Sequence, residues 1–356
     1  MIDLARSLLL VNYRSAALTA AAVRSARHAS SELLQVVVVD NTVDPDELAL
    51  LRRIDCDVVL PAPHNLGYAG GINFGIPACR HDTIIISNPD VVFSTGSIDL
   101  LVDQVRQGAA MSGPAFFWDN HQRWLLPPAD VPSLTEKADQ ILSTRFGFWR
   151  EQRGKRRIRR RLRFWRLSQP TVVPAVSGAV MCTTREWVRT AGGFDERYML
   201  YFEEIDFMTR LRLKGGRIVY EPRAHCRHLY NQSAGLTDDA RERFLQSETL
   251  YYEKWVGSTA VGLMNSLGGS PTEPVSGFEE LSDLLLPAPE GSSFVVEASP
   301  LPSFDSAAGF FPKEEEVRFP SSIWEVYRGQ RLFLRVVRTA DSQVLGRYVI
   351  SREVSA

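Results

Sequence analysis

Short apolar runs alternate with helix-forming stretches along the first 90 residues. Uninterrupted aliphatic runs lie at residues 8–11, 36–39, 58–60 and 84–86. The helix-forming stretches between them lie at residues 16–29, 46–53 and 70–79. Continuous apolar strands separated by helices are typical of a parallel sheet that is covered on both faces. The pattern therefore predicts an α/β fold, Rossmann-like, with a mostly parallel central sheet and helices on both faces.

The remainder of the chain divides at a change in composition. Further elements are predicted as a strand at 176–181, a helix at 204–214 that ends at Gly215 and Gly216, a strand at 217–220 and a helix from the cap Thr237 to Trp255. Glycine, serine and proline then indicate a linker at 264–277. We predict a first domain at 1–263 with a basic insertion at 145–170, and a small β-rich domain at 278–356 with strands at 332–337 and 347–350.

Composition indicates an ordinary globular protein, since hydrophobic residues make up 44% of the 356 residues and charged residues 23%. The net charge of −1 gives the whole chain no bulk attraction to nucleic acid or membrane. The four cysteines are scattered without a CxxC pair, which favours free thiols in a reducing compartment. The N-terminal apolar run is too short for a secretory signal, and no apolar stretch has the roughly 18 residues of a membrane span. We expect a cytoplasmic protein.

Polar residues follow the predicted strands at the edge where α/β sheets bind ligands. Asn12 and Tyr13 follow the first strand, and Asp40 and Asn41 follow the second. An acceptor at Asp40 could bind the imide N–H of uracil or thymine, or it could form an Asx turn that caps the next helix. The sequence leaves both readings open.

A glycine-rich segment, residues 64–75, precedes a predicted helix. Backbone N–H groups at such a helix start can face phosphates. The segment matches neither the dinucleotide fingerprint nor a P-loop. Its glycines could equally serve tight turns and close packing.

Two acidic motifs could carry chemistry. Asp90, in Asn88-Pro89-Asp90, could hold a divalent cation at a strand end, although such a sequence also forms common turns. Glu203, Glu204 and Asp206 place three carboxylates within four residues. Acidic residues in a first turn complement the helix dipole, but this density exceeds what a cap requires and favours a general base.

The order of these motifs resembles the GT-A glycosyltransferases of family 2, and within them the bacterial rhamnosyltransferase-like branch. The resemblance covers roughly residues 5–256 and rests on the following segments: LLLVNY, VVVVDN, HNLGYAGGINFG, SNPDVVF, VSGAVMCTTREWVRTAGGFDERYMLYFEEIDF and RLRLKGGRIVYEPRAHCRH.

The resemblance implies roles for particular residues. Asp90 would bind the metal as part of a degenerate DxD motif with Asn88 at its first position, and His228, rather than His225, would be the second metal ligand. Glu204 would be the catalytic base, in a position where the family usually has Asp, and its extra methylene extends its reach. Glu203 and Asp206 would support the base or bind the acceptor. The nucleotide-sugar would contact Asn12, Tyr13, Asp40, Asn65, Gly67, Asn73, Asn88, Ser177 and Gly178.

The implied reaction is an inverting, metal-dependent transfer of a sugar from a nucleotide diphosphate. The implied donor is dTDP-rhamnose first and UDP-sugars second, and the acceptor is a saccharide or a lipid-linked saccharide in cell-surface polysaccharide synthesis. The implied cofactor is Mg²⁺ or Mn²⁺. Two alternatives remain: an inactive GT-A module that binds nucleotide-sugars, and a nucleotidyltransferase, whose glycine-rich loop would be expected at the first strand.

Residues 145–166 contain eleven basic residues and one acidic residue, flanked by Phe and Trp. This combination suits an anionic membrane surface, and it would place the protein peripherally on the inner face of the membrane. A loop that closes over the acceptor is the second interpretation. Nucleic-acid binding is a distant third, and no nucleic-acid partner is expected.

Overall fold

The structure, a computed structural model, describes residues 5–229, 238–259, 261–262, 277–281, 283–287, 293–313 and 317–352. The chain forms two compact units. The first unit consists of Met1–Phe116, Ala129–Val131 and Ser168–Lys254. The second unit consists of Phe117–Pro128, Pro132–Leu167 and Trp255–Ala356.

The strands are β1 Arg6–Asn12, β2 Leu34–Asp40, β3 Val58–Pro61, β4 Thr83–Ser87, β5 Val91–Phe93, β6 Met111–Phe117, β7 Thr171–Val172, β8 Val180–Thr184, β9 Ile218–His228, β10 Glu279–Glu280, β11 Leu285–Leu286, β12 Phe294–Ser299, β13 Ala308–Phe310, β14 Val317–Arg318, β15 Arg331–Arg338 and β16 Val344–Ser351. The helices are α1 Ala16–Ala29, α2 Pro45–Leu51, α3 Gly67–Gly75, α4 Ser97–Arg106, α5 Leu134–Arg145, α6 Gly147–Trp165, α7 Arg185–Ala191, α8 Glu203–Leu213, α9 Asp238–Val256 and α10 Ser321–Val326.

The large sheet of the first unit has the order β3-β2-β1-β4-β8-β6-β9-β5, with β7 paired to β9. Strands β3, β2, β1 and β4 run parallel, and the aliphatic residues of β1 and β2 are buried on both sheet faces. This confirms the predicted α/β sheet. From β8 onward the observed pairs are antiparallel, so the sheet is parallel in its first half and mixed as a whole.

Several predicted boundaries differ from the observed ones. The helix predicted at 70–79 begins at Gly67 and ends at Gly75, and a 3-10 turn that contains Pro77 follows it. Proline lacks the N–H that would continue the helix, which explains the change. The strand predicted at 176–181 begins only at Val180. Thr237 and residues 264–276 of the predicted linker lie outside the described residues.

The second unit contains a sheet of order β10-β16-β15-β12-β13 and the pair β11-β14. The strands predicted at 332–337 and 347–350 lie within β15 and β16. In the described part of the chain, no helix combines the length and apolar character that crossing a bilayer requires.

Helix α6, which carries the basic segment, packs into the second unit rather than extending as a loop. Ile158, Leu162 and Trp165 form one buried cluster with Val295 and Val337 of the sheet. The helical spacing of Ile158, Leu162 and Trp165 places them on one face, which is the buried face of α6. The basic segment was predicted as an insertion of the first domain, whereas the contacts group it with the C-terminal strands.

A buried ionic triad joins α6 to the sheet of the second unit. Glu297 is fully buried, and its two carboxylate oxygens accept from Arg161 Nε at 2.6 Å and from Arg335 Nε at 2.5 Å. Burial alone would raise the pKa of Glu297, but the two guanidinium groups outweigh it and the pKa is lowered. The carboxylate therefore stays ionised, and the triad is charged at neutral pH.

Glu297→Ala should lower the stability of the second unit by about 3–5 kcal/mol, because it leaves two buried arginines without their counterion. Urea unfolding, followed by circular dichroism, measures the change. Glu325→Ala removes an exposed glutamate from α10 and serves as the matched control, with a change within about 0.5 kcal/mol. Equal stability of the two variants would show that the triad contributes no net stability.

Candidate functional site

Asn12, at the carboxyl end of β1, organises the turn that follows the strand. It is fully buried, and its Nδ2 donates to Glu47 Oε1 at 2.9 Å. Its Oδ1 accepts from Ser15 Oγ at 3.0 Å and Thr19 Oγ1 at 2.9 Å. These bonds join the first strand to α1 and α2. Asn12 therefore holds this edge of the sheet in place as a buried residue.

Asp40 and Asn41 end β2 and connect it to the glycine-rich segment. Asp40 Oδ1 accepts the backbone N–H of Thr42 at 3.0 Å, which is the Asx turn that the sequence left open. Asn41 Nδ2 donates to Asn65 Oδ1 at 3.1 Å and to Gly67 O at 2.9 Å. Asn65 also accepts from the Gly67 N–H at 3.0 Å. The polar ends of β2 and the start of α3 therefore form one hydrogen-bonded edge.

Tyr13 extends outward from this edge and is 46% exposed. The guanidinium of Arg14 lies 5.5 Å from the centre of its ring. An exposed ring beside a strand end can stack on a planar ligand.

Two glycines of α3 serve a tight turn and close packing, which is the second of the two roles that the sequence left open. Gly67 has a φ of +70°, and a Cβ there would lie 2.7 Å from Met199 O, so this position requires glycine. A Cβ at Gly71 would lie 2.7 Å from Val11 Cγ1, which shows that this glycine allows α3 to pack closely on β1. Asn73 lies among them, but its amide is engaged by the backbone of Phe194, with Nδ2 to O at 2.8 Å and N to Oδ1 at 2.9 Å.

Asp90 and His228 meet because β5 pairs antiparallel with β9. Val91 is opposite His228 in this pair, and Leu229 N donates to Asp90 O at 3.1 Å. As a result, His228 Nε2 lies 3.3 Å from Asp90 Oδ1, while both side chains are largely buried. Asn88 lies in the turn before them, and its N–H donates to Ala179 O at 2.9 Å. His225 lies further along β9, where its backbone carbonyl accepts from the N–H of Ser94 at 3.1 Å.

The chemistry of Asp90 and His228 fits a divalent cation that is shared with a substrate. A carboxylate oxygen and an imidazole nitrogen 3.3 Å apart can act as neighbouring ligands of one ion. Among the described residues, no group of three or more His, Cys, Asp or Glu side chains could hold a metal by itself. Mg²⁺ in phosphate sites commonly takes one or two protein ligands and completes its shell with phosphate oxygens and water.

Gly178 makes space for Glu204. A Cβ at Gly178 would lie 2.7 Å from Glu204 Cγ and 3.1 Å from its carboxyl carbon, so any other residue would displace the glutamate. The carbonyl of Gly178 accepts from the hydroxyl of Tyr68 at 3.4 Å. The adjacent Ser177 Oγ accepts from Ala179 N at 3.3 Å. The loop before β8 thus lies directly against the acidic end of α8.

Glu203 and Glu204 form a buried carboxylate pair at the start of α8. Burial raises the pKa of both, and the charge of Glu204 raises the pKa of Glu203 further. Helix N–H groups partly offset the effect of burial at Glu204. Glu203 is 3% exposed whereas Glu204 is partly exposed. The protonated form is therefore favoured at both carboxyl groups, and more strongly at the more deeply buried Glu203.

The Tyr68 hydroxyl contacts the loop before β8 and lies near three carboxylates. Burial raises the pKa of Tyr68 well above its ordinary value, and the charges of Glu203, Glu204 and Asp90 raise it further. The phenol therefore stays protonated. The charges of Glu203, Glu204 and Asp90 thus act on one phenol.

The backbone before α8 is strained. Tyr201 and Phe202 both have a φ of +69°, a conformation that side chains with a Cβ rarely adopt. Phe202 is buried, with ring centres 5.2 Å from Phe244 and 5.6 Å from Tyr251 of α9. This aromatic packing holds the two residues in place, and Ser247 Oγ adds a hydrogen bond to Leu200 O at 2.8 Å. Strain of this kind is concentrated at functional sites.

Asp206 anchors α8 rather than facing a ligand. It is fully buried, with Oδ1 2.7 Å from Lys254 Nζ and Oδ2 2.9 Å from Arg210 Nε. Lys254 also binds Asp195 at 2.7 Å. The third carboxylate of the motif is therefore neutralised by α9, and of the two predicted roles the contacts favour support.

Sequence reasoning did not single out Tyr68, Glu47 or Lys254. Tyr68 lies within the glycine-rich segment, and only the fold brings its hydroxyl to Gly178. Lys254 is 48 residues from Asp206 in the chain, so no local pattern could indicate their contact. Asn41 was noted at the strand end, but its link to Asn65 and Gly67 needed the structure.

Residues 7–171 match the sequence profile described as glycosyl transferase family 2. An N-acetylglucosaminyl-diphospho-decaprenol L-rhamnosyltransferase from two strains of Mycobacterium tuberculosis is 29% identical over 225 residues, which is 58% of this chain and 70% of that protein. A pre-mycofactocin glycosyltransferase from the same species is 28% identical over 197 residues, covering 55% of this chain and 37% of that protein.

A mannosyltransferase from Pyrobaculum calidifontis, solved with GDP-Man and Mn²⁺, is similar in structure. Its TM-score is 0.43 at 13% identity, and the match covers 74% of this chain and 73% of that one. A likeness of this degree carries no argument about the ligands of the present chain.

The buried pair of glutamates should make stability depend on pH. Their pKa values in the folded chain lie above the ordinary 4.5, so the folded state binds more protons than the unfolded state above that pH. The free energy of unfolding should therefore fall as pH rises from 4.5 through the folded-state pKa values, by about 1.4 kcal/mol for each unit over which one extra proton is retained.

Glu203→Gln should remove most of this decline and raise stability at neutral pH. Urea unfolding at a series of pH values measures it. Glu186→Gln, at the exposed first turn of α7, is the control and should keep the decline of the unmodified protein. If the free energy of unfolding fell equally with pH in all three proteins, the decline would not come from the buried glutamate pair.

Proposed function

We propose that this chain, a glycosyltransferase that belongs to the glycosyl transferase family 2 through its residues 7–171, moves a sugar from a nucleotide diphosphate to an acceptor hydroxyl with inversion at the anomeric carbon. The observation that carries the proposal is the common site. Glu204 lies against Gly178, and the neighbouring Ala179 O accepts from the N–H of Asn88 at 2.9 Å, which places the turn before Asp90 beside the same loop. Asp90 in turn lies 3.3 Å from His228.

In the proposed reaction Glu204 accepts the proton of the acceptor hydroxyl as its oxygen attacks the anomeric carbon. The raised pKa of Glu204 makes it a stronger base than an exposed glutamate, which suits proton removal near neutral pH. Glu203 remains protonated beside it and limits the negative charge of the pair. Gly178 leaves the space in which the Glu204 side chain lies.

Asp90 and His228 would hold Mg²⁺ or Mn²⁺ on the side of the departing nucleotide. A bound divalent cation supplies charge neutralisation for a diphosphate leaving group. Asn88, in the turn before Asp90, would contact the donor. Ser177 and Gly178 would border the donor sugar on the side of Glu204.

The nucleoside would bind at the carboxyl edge of β1 and β2. Tyr13 is exposed and available for stacking, whereas Asn12 and Asp40 are buried within hydrogen bonds that shape the edge. Asn65 and Gly67 would face the diphosphate from the start of α3. Asn73 would act indirectly, because its amide holds the loop at Phe194.

The proposed donor is dTDP-rhamnose, with UDP-sugars as the second choice. The proposed acceptor is a saccharide, most readily one linked to a lipid diphosphate, made for a cell-surface polysaccharide on the cytoplasmic side of the membrane. The support is the rhamnosyltransferase of M. tuberculosis, whose name states a lipid-diphosphate acceptor.

A second candidate is an inactive module that binds a nucleotide-sugar without transferring it. Two observations favour it. Asn88 stands at the first position of the DxD motif, where the family has an acid. Among the described residues, no group of three or more His, Cys, Asp or Glu side chains could hold a metal ion. The two candidates differ in whether Glu204 is needed for turnover.

A panel of nucleotide-sugars, with and without Mn²⁺, should reveal the donor by thermal unfolding. A ligand at about 100 times its dissociation constant adds roughly 2.7 kcal/mol of stability. We expect one donor to give a shift that needs the metal and that Asp90→Asn largely removes. A shift that is equal without metal would contradict the proposed role of Asp90.

Glu204→Gln should reduce sugar transfer by about 10²–10⁴-fold while leaving the donor-induced thermal shift unchanged, because it removes only the proton acceptor. Gly178→Ala should also lower the rate, since its Cβ would displace the Glu204 side chain. Gly154→Ala, where a Cβ meets nothing within 4 Å, is the matched control and should retain full activity. Full transfer by Glu204→Gln would exclude Glu204 as the base.

A further inference from the structure

The outward side of α6 is an unusual surface for a soluble protein. Phe146, Phe148 and Trp149 are 57%, 73% and 38% exposed, although they lie within four consecutive residues. Exposed apolar side chains that cluster in this way mark contact sites more often than scattered ones do. Arg145 and Arg150, on either side of them, are exposed as well.

The arginines of α6 divide into two sets. Those on the inner side are engaged within the second unit: Arg161 in the triad with Glu297, and Arg153 and Arg157 with Asp305 at 3.3 Å and 3.1 Å. Arg159, Arg160 and Arg163, in the later turns, are instead exposed. The buried apolar residues of α6 and the inner arginines therefore cannot meet a membrane, which corrects the view that the whole segment 145–166 does so.

From Arg156 onward, the exposed residues of α6 lie on one side of the helix. With 3.6 residues per turn, Trp149, Arg160 and Arg163 project in nearly the same direction, and Phe148 and Arg159 follow beside them. The surface therefore has aromatic rings at the first turn and arginines along the later turns. We define Phe146, Phe148, Trp149, Arg159, Arg160 and Arg163 as the outer α6 surface.

We infer that the outer α6 surface docks this protein on an anionic lipid bilayer. An amphipathic helix that lies in the interface places its aromatic rings at the headgroup boundary and its arginines against lipid phosphates. The segment 145–166 holds eleven of the 41 basic residues of the chain and one of the 42 acidic ones, so the rest of the protein carries a net negative charge. Within this segment the inner arginines are paired with carboxylates of the chain, as is Arg156 with Asp139. The charge complementarity with an anionic surface therefore rests on Arg159, Arg160 and Arg163.

Other occupants fit the surface less well. In a symmetric dimer formed through this surface, the same patch would face itself and bring arginine rows together. Nucleic acid would use the arginines, but the most exposed residue, Phe148, follows a glycine at the helix start and has no polar atom for a phosphate or base edge. A bilayer uses both the aromatic and the basic members. The inference does not depend on the proposed sugar transfer.

Co-sedimentation of the full chain with vesicles tests the inference. Vesicles of phosphatidylcholine with phosphatidylglycerol are compared with vesicles of phosphatidylcholine alone. We expect binding to the anionic vesicles only, weakening as salt is added. Arg159→Ser with Arg163→Ser should weaken binding about twentyfold, since each arginine near the surface contributes about fivefold. Phe146→Ser with Phe148→Ser should weaken it by about tenfold.

Matched controls use equally exposed residues of the first unit. Leu33→Ser with Leu213→Ser removes two leucines that are each 70% exposed, and Arg52→Ser with Arg53→Ser removes two exposed arginines. These variants should bind vesicles like the unmodified chain. Thermal unfolding of every variant verifies that the fold is retained.

Three results would overturn the inference: no binding to anionic vesicles, equal losses in the controls and in the outer α6 variants, or binding to vesicles of both compositions alike. Self-association without lipid that the phenylalanine variant abolishes would assign the surface to a second copy of the chain. Binding to duplex DNA through the same residues, with vesicles left unbound, would assign it to nucleic acid.

Discussion

The burial of two adjacent carboxylates, Glu203 and Glu204, is the constraint on which the site depends. Placing them out of water is unfavourable, and both pKa values are raised as a result. The surrounding structure therefore has to hold α8 firmly. Asp206 does so through Lys254 and Arg210, so the third carboxylate of the motif stabilises the position of the first two.

The same constraint explains the unusual backbone next to the pair. Tyr201 and Phe202 adopt positive φ values, and the packing of Phe202 on α9 offsets the strain. Gly178 on the opposite side leaves a gap that only the Glu204 side chain fills. A carboxylate held between a strained turn and a glycine has little freedom to move, which suits a group that must meet a hydroxyl in one orientation.

The sheet positions Asp90 and His228, the second half of the site, because its pairing changes from parallel to antiparallel. Parallel strands bring Asn12 and Asp40 to one edge, and the antiparallel pair β5–β9 then places Asp90 beside His228. In the proposed reaction one half would accept a proton, and the other half would hold a cation beside the diphosphate. The outer α6 surface belongs to the second unit, whereas these groups belong to the first.

Much of this arrangement could be predicted from the sequence. The aliphatic runs indicated the parallel strands, and the order of motifs indicated the family and the candidates Asp90, His228 and Glu204. The antiparallel half of the sheet was not predicted, because its strands β5, β6 and β7 are short or carry no distinct alternation.

Contacts between distant residues were also beyond a local pattern. The sequence could not separate the inner arginines of α6 from the outer ones, because their partners Asp305 and Glu297 lie more than a hundred residues away. It likewise could not show that Asn73 and Asp206 are used to hold loops and helices in place.

The configuration of the transferred sugar tests the central claim most directly. Proton NMR of the product, made with the donor that stabilises the protein, reports the anomeric configuration from its coupling constants and shifts. A single base at Glu204 and direct attack by the acceptor predict a product of inverted configuration relative to the donor. A product that retains the donor configuration would contradict the account, because a single direct attack by the acceptor oxygen inverts the anomeric carbon.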